Sequence, residues 1–303
     1  MFFIPLWLNT PEKKNTFIAA IKNCTLFILY SQIVIVSLFY SGFENLFNVI
    51  TSNAHLNRGQ WFNIYDYKYY FRFGGLFEEP SWFSWFLTYI VGIIVGYECV
   101  YKEKIFNTKS IVLLIISIGF TFSIAGLMSI IILISIRYFS HSFNIKRIFY
   151  LLVFLVILSI SALTNEHFMD RLSSIMSGED ASSNVRLLGS FYRVYVIFDN
   201  LLFGTGFGNS INGILYFSQE YNIRIKESIA TQNGFAEVFV STGLIAGILY
   251  CSPIFLMIFK KKYRTTFITI CLVYFTSSAI YVAPAWMLLS ISYYLFKEKQ
   301  YIK

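Results

Sequence analysis

An all-α, polytopic transmembrane helix bundle is the fold class this sequence predicts. Three observations lead there. Several apolar runs reach the ~20 residues that a bilayer core demands. The chain is 56% hydrophobic and only 13% charged, a balance no soluble fold of this length needs. The basic residues lie in short clusters between the apolar runs, so the net charge of +8 bears on orientation across a bilayer rather than on nucleic acid.

Taken in order, the apolar start MFFIPLWL is short and interrupted by Pro5, so no cleavable signal peptide is expected. The first span runs from about Phe17 to Tyr40, and Lys13, Lys14 and Lys22 place the N-terminus in the cytoplasm. A first outer loop, 41–80, ends in RFGGLFEEPSWFSWFL, where Pro80 and Trp82 mark an interfacial helix start. The second span, about Ser81 to Tyr101, leads to Lys102, Lys104 and Lys109 on the inside.

The run Ile111 to Ile136 is flanked on both sides by basic clusters, since Arg137, Lys146 and Arg147 follow it. One long helix would strand a cluster outside. A hairpin turning near Phe122–Gly126 keeps both inside, with two short helices that protein or a watery cavity must cover. A span from about Ile148 to Leu163 then exits to a large periplasmic loop, 165–232. The chain returns through about Gly234 to Phe259 to meet Lys260, Lys261, Lys262 and Arg264. A last hairpin, about Phe267 to Phe296, turns at Ala283-Pro284-Ala285. The expectation is about eight helices, some short and hairpin-like, in a single membrane domain over 1–303 with both termini cytoplasmic. Two thirds of the 24 Lys and Arg residues fall in the inside segments, as orientation requires.

The four cysteines, Cys24, Cys99, Cys251 and Cys271, fall in or at the ends of apolar runs, as core or lipid-facing thiols do. The three histidines are scattered, which gives no metal-ligand spacing. No cofactor is called for.

The chemistry concentrates between Arg186 and Gly247. Arg186 and Arg193 are two helical turns apart and share a face, with Gly189 and Ser190 leaving room between them. Two guanidinium forks so spaced suit a phosphate or pyrophosphate; an interfacial helix whose arginines only meet lipid headgroups has the same spacing. Glu237 is the one acid placed inside a span, where a charge is costly and is either functional or turned to water. Glu78 and Glu79 lie near Arg72 and serve either as acid-base groups or only the dipole of the helix behind Pro80. Gly204, Gly206 and Gly208 make a tight turn: either a plain helix stop, the better reading, or a source of N–H groups for phosphate.

Four blocks together resemble the O-antigen polymerase (Wzy) family, within the group that also holds the O-antigen ligases. RFGGLFEEPSWFSWFL resembles its arginine-glycine block before a span, and TFSIAGLMSI its Thr-x-Ser-Arg-Gly turn. The segment from Arg186 to LLFGTGFGNS resembles its arginine helix and G-x-G-x-G turn, and QNGFAEVFVSTGLIAGIL its return helix. The blocks cover roughly residues 70 to 250. Ile124 stands where the family often has arginine, and Gln232 where ligases typically carry histidine, which counts against ligase. Family members usually have ten or more spans, so either further spans are encoded upstream of Met1 or this is a reduced or inactive member.

What the resemblance implies is metal-independent glycosyl transfer at the periplasmic face of the bacterial inner membrane. Undecaprenyl-pyrophosphate-linked oligosaccharides are the substrates, the lipid bilayer is the medium, and a chain-length regulator protein is the expected partner. Catalysis would rest on Arg72, Arg186, Arg193 and Glu237. Gly204, Gly206, Gly208, Gln232, Asn233, Glu78 and Glu79 would line the substrates. A lipid-linked oligosaccharide flippase shares the composition, but an internal repeat and charges deep in several spans are expected of it, and the sequence has neither.

The orientation is testable directly. A cysteine introduced at Ser182 should react with an impermeant thiol reagent in intact cells with a permeabilised outer membrane, while one at Lys261 should be protected. Labelling of Ser182 only after inner-membrane lysis would invert the layout.

Overall fold

A computed structural model describes residues 10–42, 73–77, 80–121, 123–141, 193–206, 209–220, 234–276 and 283–296, with isolated helical positions at 169 and 173. The span expected at about Ile148 to Leu163 and much of 165–232 lie outside the described residues. Every regular element among the described residues is helical. Three helices, Pro11–Tyr40, Ser81–Tyr101 and Gly234–Phe259, are long and apolar enough to cross a membrane. The chain packs as two compact units, residues 1–144 with 290–303, and residues 145–289.

In the first unit, α1 (Pro11–Tyr40) begins where the sequence stops it from beginning earlier. Pro11 has no N–H to satisfy, and the Thr10 side chain accepts from the Lys13 N–H at 3.4 Å. Thirty residues make a helix about 45 Å long. α2 (Pro80–Tyr101) and α4 (Ile124–His141) pack most extensively, with α3 (Thr108–Gly119) beside α1. The run expected to fold as a hairpin does so: α3 and α4 are separate helices broken at 120–123. The break falls slightly before the expected Phe122–Gly126, because Ala125 and Gly126 already belong to α4. There Gly126 lets α4 approach α2; a Cβ at 126 would sit 2.5 Å from the Ser84 Cβ.

Apolar surroundings leave no water for polar groups, so each must find protein. At the helix break, Ser84 Oγ and Thr121 Oγ1 lie 3.3 Å apart, the Thr121 hydroxyl accepts from the Ser123 N–H, and Ser123 Oγ accepts from the Gly126 N–H. The segment 73–77 is pinned at this end: Phe73 N–H donates to Phe120 O at 2.9 Å, and Gln32 Nε2 donates to Phe73 O at 3.0 Å. Phe39 and Phe120 meet the Phe73 ring edge-on.

The opposite end of this unit gathers the start of α1 and the ends of α2 and α4. Tyr97 OH donates to Asn15 Oδ1 at 2.7 Å. Glu98 corrects the expectation that Glu237 is the one acid inside a span. Glu98 lies within α2 and is fully buried. Its charge is tolerated because Arg137 of α4 pairs with it and the N–H groups of Ile105 and Phe106 donate to its Oε1 at 2.6 and 2.9 Å. Arg137 also donates to Phe106 O. The pair therefore ties α2, α4 and the link to α3 together, which brings Arg137 to the end of the hairpin where Lys102 and Lys104 follow α2. Lys102, just past α2, adopts φ 62° and its Nζ reaches Ser140 O at 2.6 Å.

In the second unit, a short helix at 193–199 leads through a turn to α5 (Ser210–Glu220), then α6 (Gly234–Leu256). Two 3₁₀ turns, Met257–Phe259 and Lys261–Tyr263, reverse the chain into α7 (Arg264–Thr276), so the strongest basic run forms the tight reversal. α6 and α7 run antiparallel, with Phe235 edge-on to Tyr274 at 4.9 Å. Pro253 cannot bond the Leu249 carbonyl, and Ser252 Oγ donates to it instead at 2.8 Å. The last helix, α8 (Ala283–Phe296), whose residues from 290 on belong to the first unit, corrects the turn of the second hairpin. Ala283-Pro284-Ala285 opens the helix rather than forming the turn, since a proline in the first helical turn wastes no hydrogen bond.

Removing one partner of the buried pair should be severe. Glu98→Ala or Arg137→Ala leaves an uncompensated charge, costing about 3–5 kcal/mol. The double variant Glu98→Leu/Arg137→Met should recover most of that. Thermal unfolding of the detergent-purified variants measures both.

Candidate functional site

The site is built on α6 and the segment 193–206, both in the second unit. Arg193 lies in a helical stretch described over 193–199 and is completely buried. Its Nη2 lies 3.3 Å from Oε2 of Glu237, itself only 8% exposed in the first turn of α6. Sequence reading allowed both residues a bland role, the arginine meeting headgroups and the glutamate snorkelling to water. Instead they form an ion pair inside protein. A charge so placed is kept only with a partner, because desolvation alone would cost several kcal/mol.

A break in α6 sets the geometry. At Gly243 the backbone leaves helical space, with φ 76° and ψ 177°. In an unbroken helix the Leu244 N–H would donate to Val240 O and the Ile245 N–H to Ser241 O. Here the segment 201–206 supplies the replacements. Thr205 N–H donates to Val240 O at 2.7 Å, Gly206 N–H to Ser241 O at 2.9 Å, and Leu244 N–H donates to Leu201 O at 2.7 Å. Thr205 Oγ1 reinforces the first at 3.3 Å. Two glycines face each other across this joint. A Cβ on Gly204 would lie 2.5 Å from Gly243 N and Val240 O, and one on Gly243 would lie 2.3 Å from Leu202 O. Gly204, at φ 65°, also ends the preceding helix by donating its N–H to Asn200 O at 2.9 Å.

The turn is thus the helix stop the sequence suggests, and more: its Gly204 and Gly206 N–H groups point to protein carbonyls rather than being offered to a ligand. Gly213 of α5 leaves room for Thr205, since a Cβ there would meet the Thr205 methyl carbon at 2.4 Å. The joint and the ion pair are about two helical turns, ~10 Å, apart along α6. The stretch 193–199 is therefore tied to α6 twice, by charge at Arg193 and by backbone at 201–206.

Of the residues expected at the site, Arg193 and Glu237 are brought together. Arg186, Gly208, Gln232, Asn233, Arg72, Glu78 and Glu79 lie outside the described residues. Gly243 was missed as a site-forming residue. Its signal was a glycine in the middle of an otherwise apolar run that is flanked by Ser241 and Thr242.

Arg193, the joint and Glu237 all fall in one stretch of recognisable sequence. Residues 110–251 match the O-antigen ligase family model. The family resemblance is thereby supported on independent ground, and it is that of the O-antigen ligase and polymerase group. The match extends from α3 to near the end of α6, so it takes in the α3–α4 hairpin as well as the ion pair. No curated protein and no solved structure matches the chain.

The facing glycines make a sharp prediction. Gly204→Ala and Gly243→Ala each place a methyl group against backbone that cannot yield. Either should lower the melting temperature in detergent by several degrees or abolish accumulation in the membrane, whereas Gly119→Ala, at the end of α3 with nothing within 4 Å of the added methyl, should accumulate.

Proposed function

We propose that this membrane protein transfers lipid-linked glycans, and that it acts as a polymerase of undecaprenyl-pyrophosphate-linked repeat units at the periplasmic face of the inner membrane. The observation that carries the reading is a cation and a carboxylate, Arg193 and Glu237, paired within the segment that matches the O-antigen ligase model. The reaction needs both. As the anomeric C–O bond to pyrophosphate breaks, negative charge grows on the leaving group, and a fixed guanidinium stabilises it without reorganising. The attacking sugar hydroxyl must lose its proton, and a carboxylate can take it. Arg193 is the leaving-group ligand and Glu237 the base.

Arg186, two turns before Arg193 in sequence, supplies a second fork for the pyrophosphate. Polymerase is favoured over ligase by Gln232, which holds the position of the ligase histidine. An amide can orient a sugar but cannot serve as base. A polyprenyl donor is reached from the bilayer, in keeping with helices that are long and apolar enough to span it.

Two measurements test this. Deleting the gene should remove long glycan chains while single repeat units remain on the lipid A core; loss of all glycan from the core would instead indicate a ligase or flippase. Arg193→Ala should lower polymerisation about ten- to hundredfold, the worth of one charge-assisted contact made in the transition state. Arg193→Lys should rescue poorly, since an ammonium keeps the charge and loses the planar fork. Chain length unchanged by Arg193→Ala would remove this arginine from the mechanism.

A further inference from the structure

Resting on that reading, we propose that the donor pyrophosphate displaces Glu237 from Arg193, so that donor binding itself releases the base and the reaction is ordered, donor first. The starting point is a conflict in the geometry. The two groups that catalysis needs apart, one on the leaving group and one on the acceptor hydroxyl, are bound to each other at 3.3 Å. Arg193 has no exposed surface. No anion can reach its guanidinium without moving a group that covers it, and the Glu237 carboxylate is such a group.

The exchange is chemically matched. Carboxylate and phosphate oxygens compete for the same fork of N–H donors, and pyrophosphate brings more charge and more acceptor oxygens than one carboxylate. Once the pyrophosphate sits on Arg193, a carboxylate in the same place is repelled as a like charge. Glu237, no longer held by Arg193, can then accept a proton. The step that follows is balanced. The acceptor oxygen bonds to the anomeric carbon, its proton passes to Glu237, and the C–O electron pair leaves with the pyrophosphate lipid beside Arg193.

The scaffold allows this exchange without collapse. The helix carrying Arg193 is anchored separately, through the backbone bonds of Leu201, Thr205 and Gly206 to the broken part of α6. Losing the ion pair leaves that backbone anchor in place. The arrangement also restrains water: until a donor is present the base is engaged with Arg193, so neither group is set up for idle chemistry.

The consequence runs against the ordinary effect of deleting a catalytic base. Glu237→Gln keeps the size of the side chain and a hydrogen-bonding oxygen but removes the competing charge. It should bind inorganic pyrophosphate about ten- to hundredfold more tightly than the unaltered protein, a charge-assisted contact no longer having to be broken, while polymerisation is lost. Isothermal titration of the detergent-purified full chain with inorganic pyrophosphate reads the affinity, and chain-length analysis reads the activity. Glu237→Asp, whose shorter arm weakens the pair, should tighten binding by a smaller factor and serves where the Gln variant does not accumulate. Arg193→Gln should bind pyrophosphate at least tenfold more weakly. Unchanged or weaker binding in Glu237→Gln and Glu237→Asp, with Arg193→Gln still impaired, overturns the exchange and leaves the arginine reading standing. Normal binding by Arg193→Gln overturns both.

Discussion

A helix that breaks inside an apolar unit exposes backbone groups that no solvent will satisfy, and the second unit is arranged around that constraint. At Gly243 the break frees the carbonyls of Val240 and Ser241 and the N–H of Leu244. Each unpaired group would cost several kcal/mol in hydrocarbon. The segment 201–206 meets all three, and it can come close enough only because Gly204 and Gly243 lack side chains. The position of the helix at 193–199 follows from this joint, and the position of Arg193 follows from the helix. A joint made of main chain is also indifferent to charge, which lets the ion pair about two helical turns away along α6 change partners while its support stays in place.

The first unit solves the same constraint differently. There the break between α3 and α4 is lined by hydroxyls, with Ser84, Thr121 and Ser123 supplying donors and acceptors in turn. At the other end, Glu98 and Arg137 place a full charge pair in the interior. Such a pair adds less to stability than its Coulomb attraction suggests, since both ions had to be dehydrated. What it does supply is register: Arg137 reaches both Glu98 on α2 and the Phe106 carbonyl beyond it, so α4 can slide along α2 only by stranding a charge.

Much of this was legible in the residues, and the parts that were not share a cause. Apolar run length and lysine clusters were enough to foresee the all-helical class, the α3–α4 hairpin and the return helix at Gly234–Phe259, because bilayer thickness and charge asymmetry act on single segments. Arg193 and Glu237 could each be singled out, one by its spacing from Arg186 and the other by its cost inside a span. Their meeting could not, since 44 positions separate them in sequence and pairing is a property of packing. Glu98 passed unremarked for the same reason: three residues from the end of α2, its burial shows only once Arg137 is seen across from it. Gly243 escaped notice because a glycine in an apolar run also serves close packing, and only the facing turn reveals a break.

The carbonyl of Leu295, near the end of α8, accepts from both Lys14 Nζ at 2.7 Å and Tyr101 OH at 2.6 Å. The unit formed by residues 1–144 is therefore completed by residues 290–303. In a chain inserted as it is synthesised, α1 and α2 are made long before the Leu295 carbonyl that contacts them both. A product that stops before α8 has every residue of the Arg193 site yet lacks the Leu295 carbonyl that joins Lys14 of α1 to Tyr101 of α2.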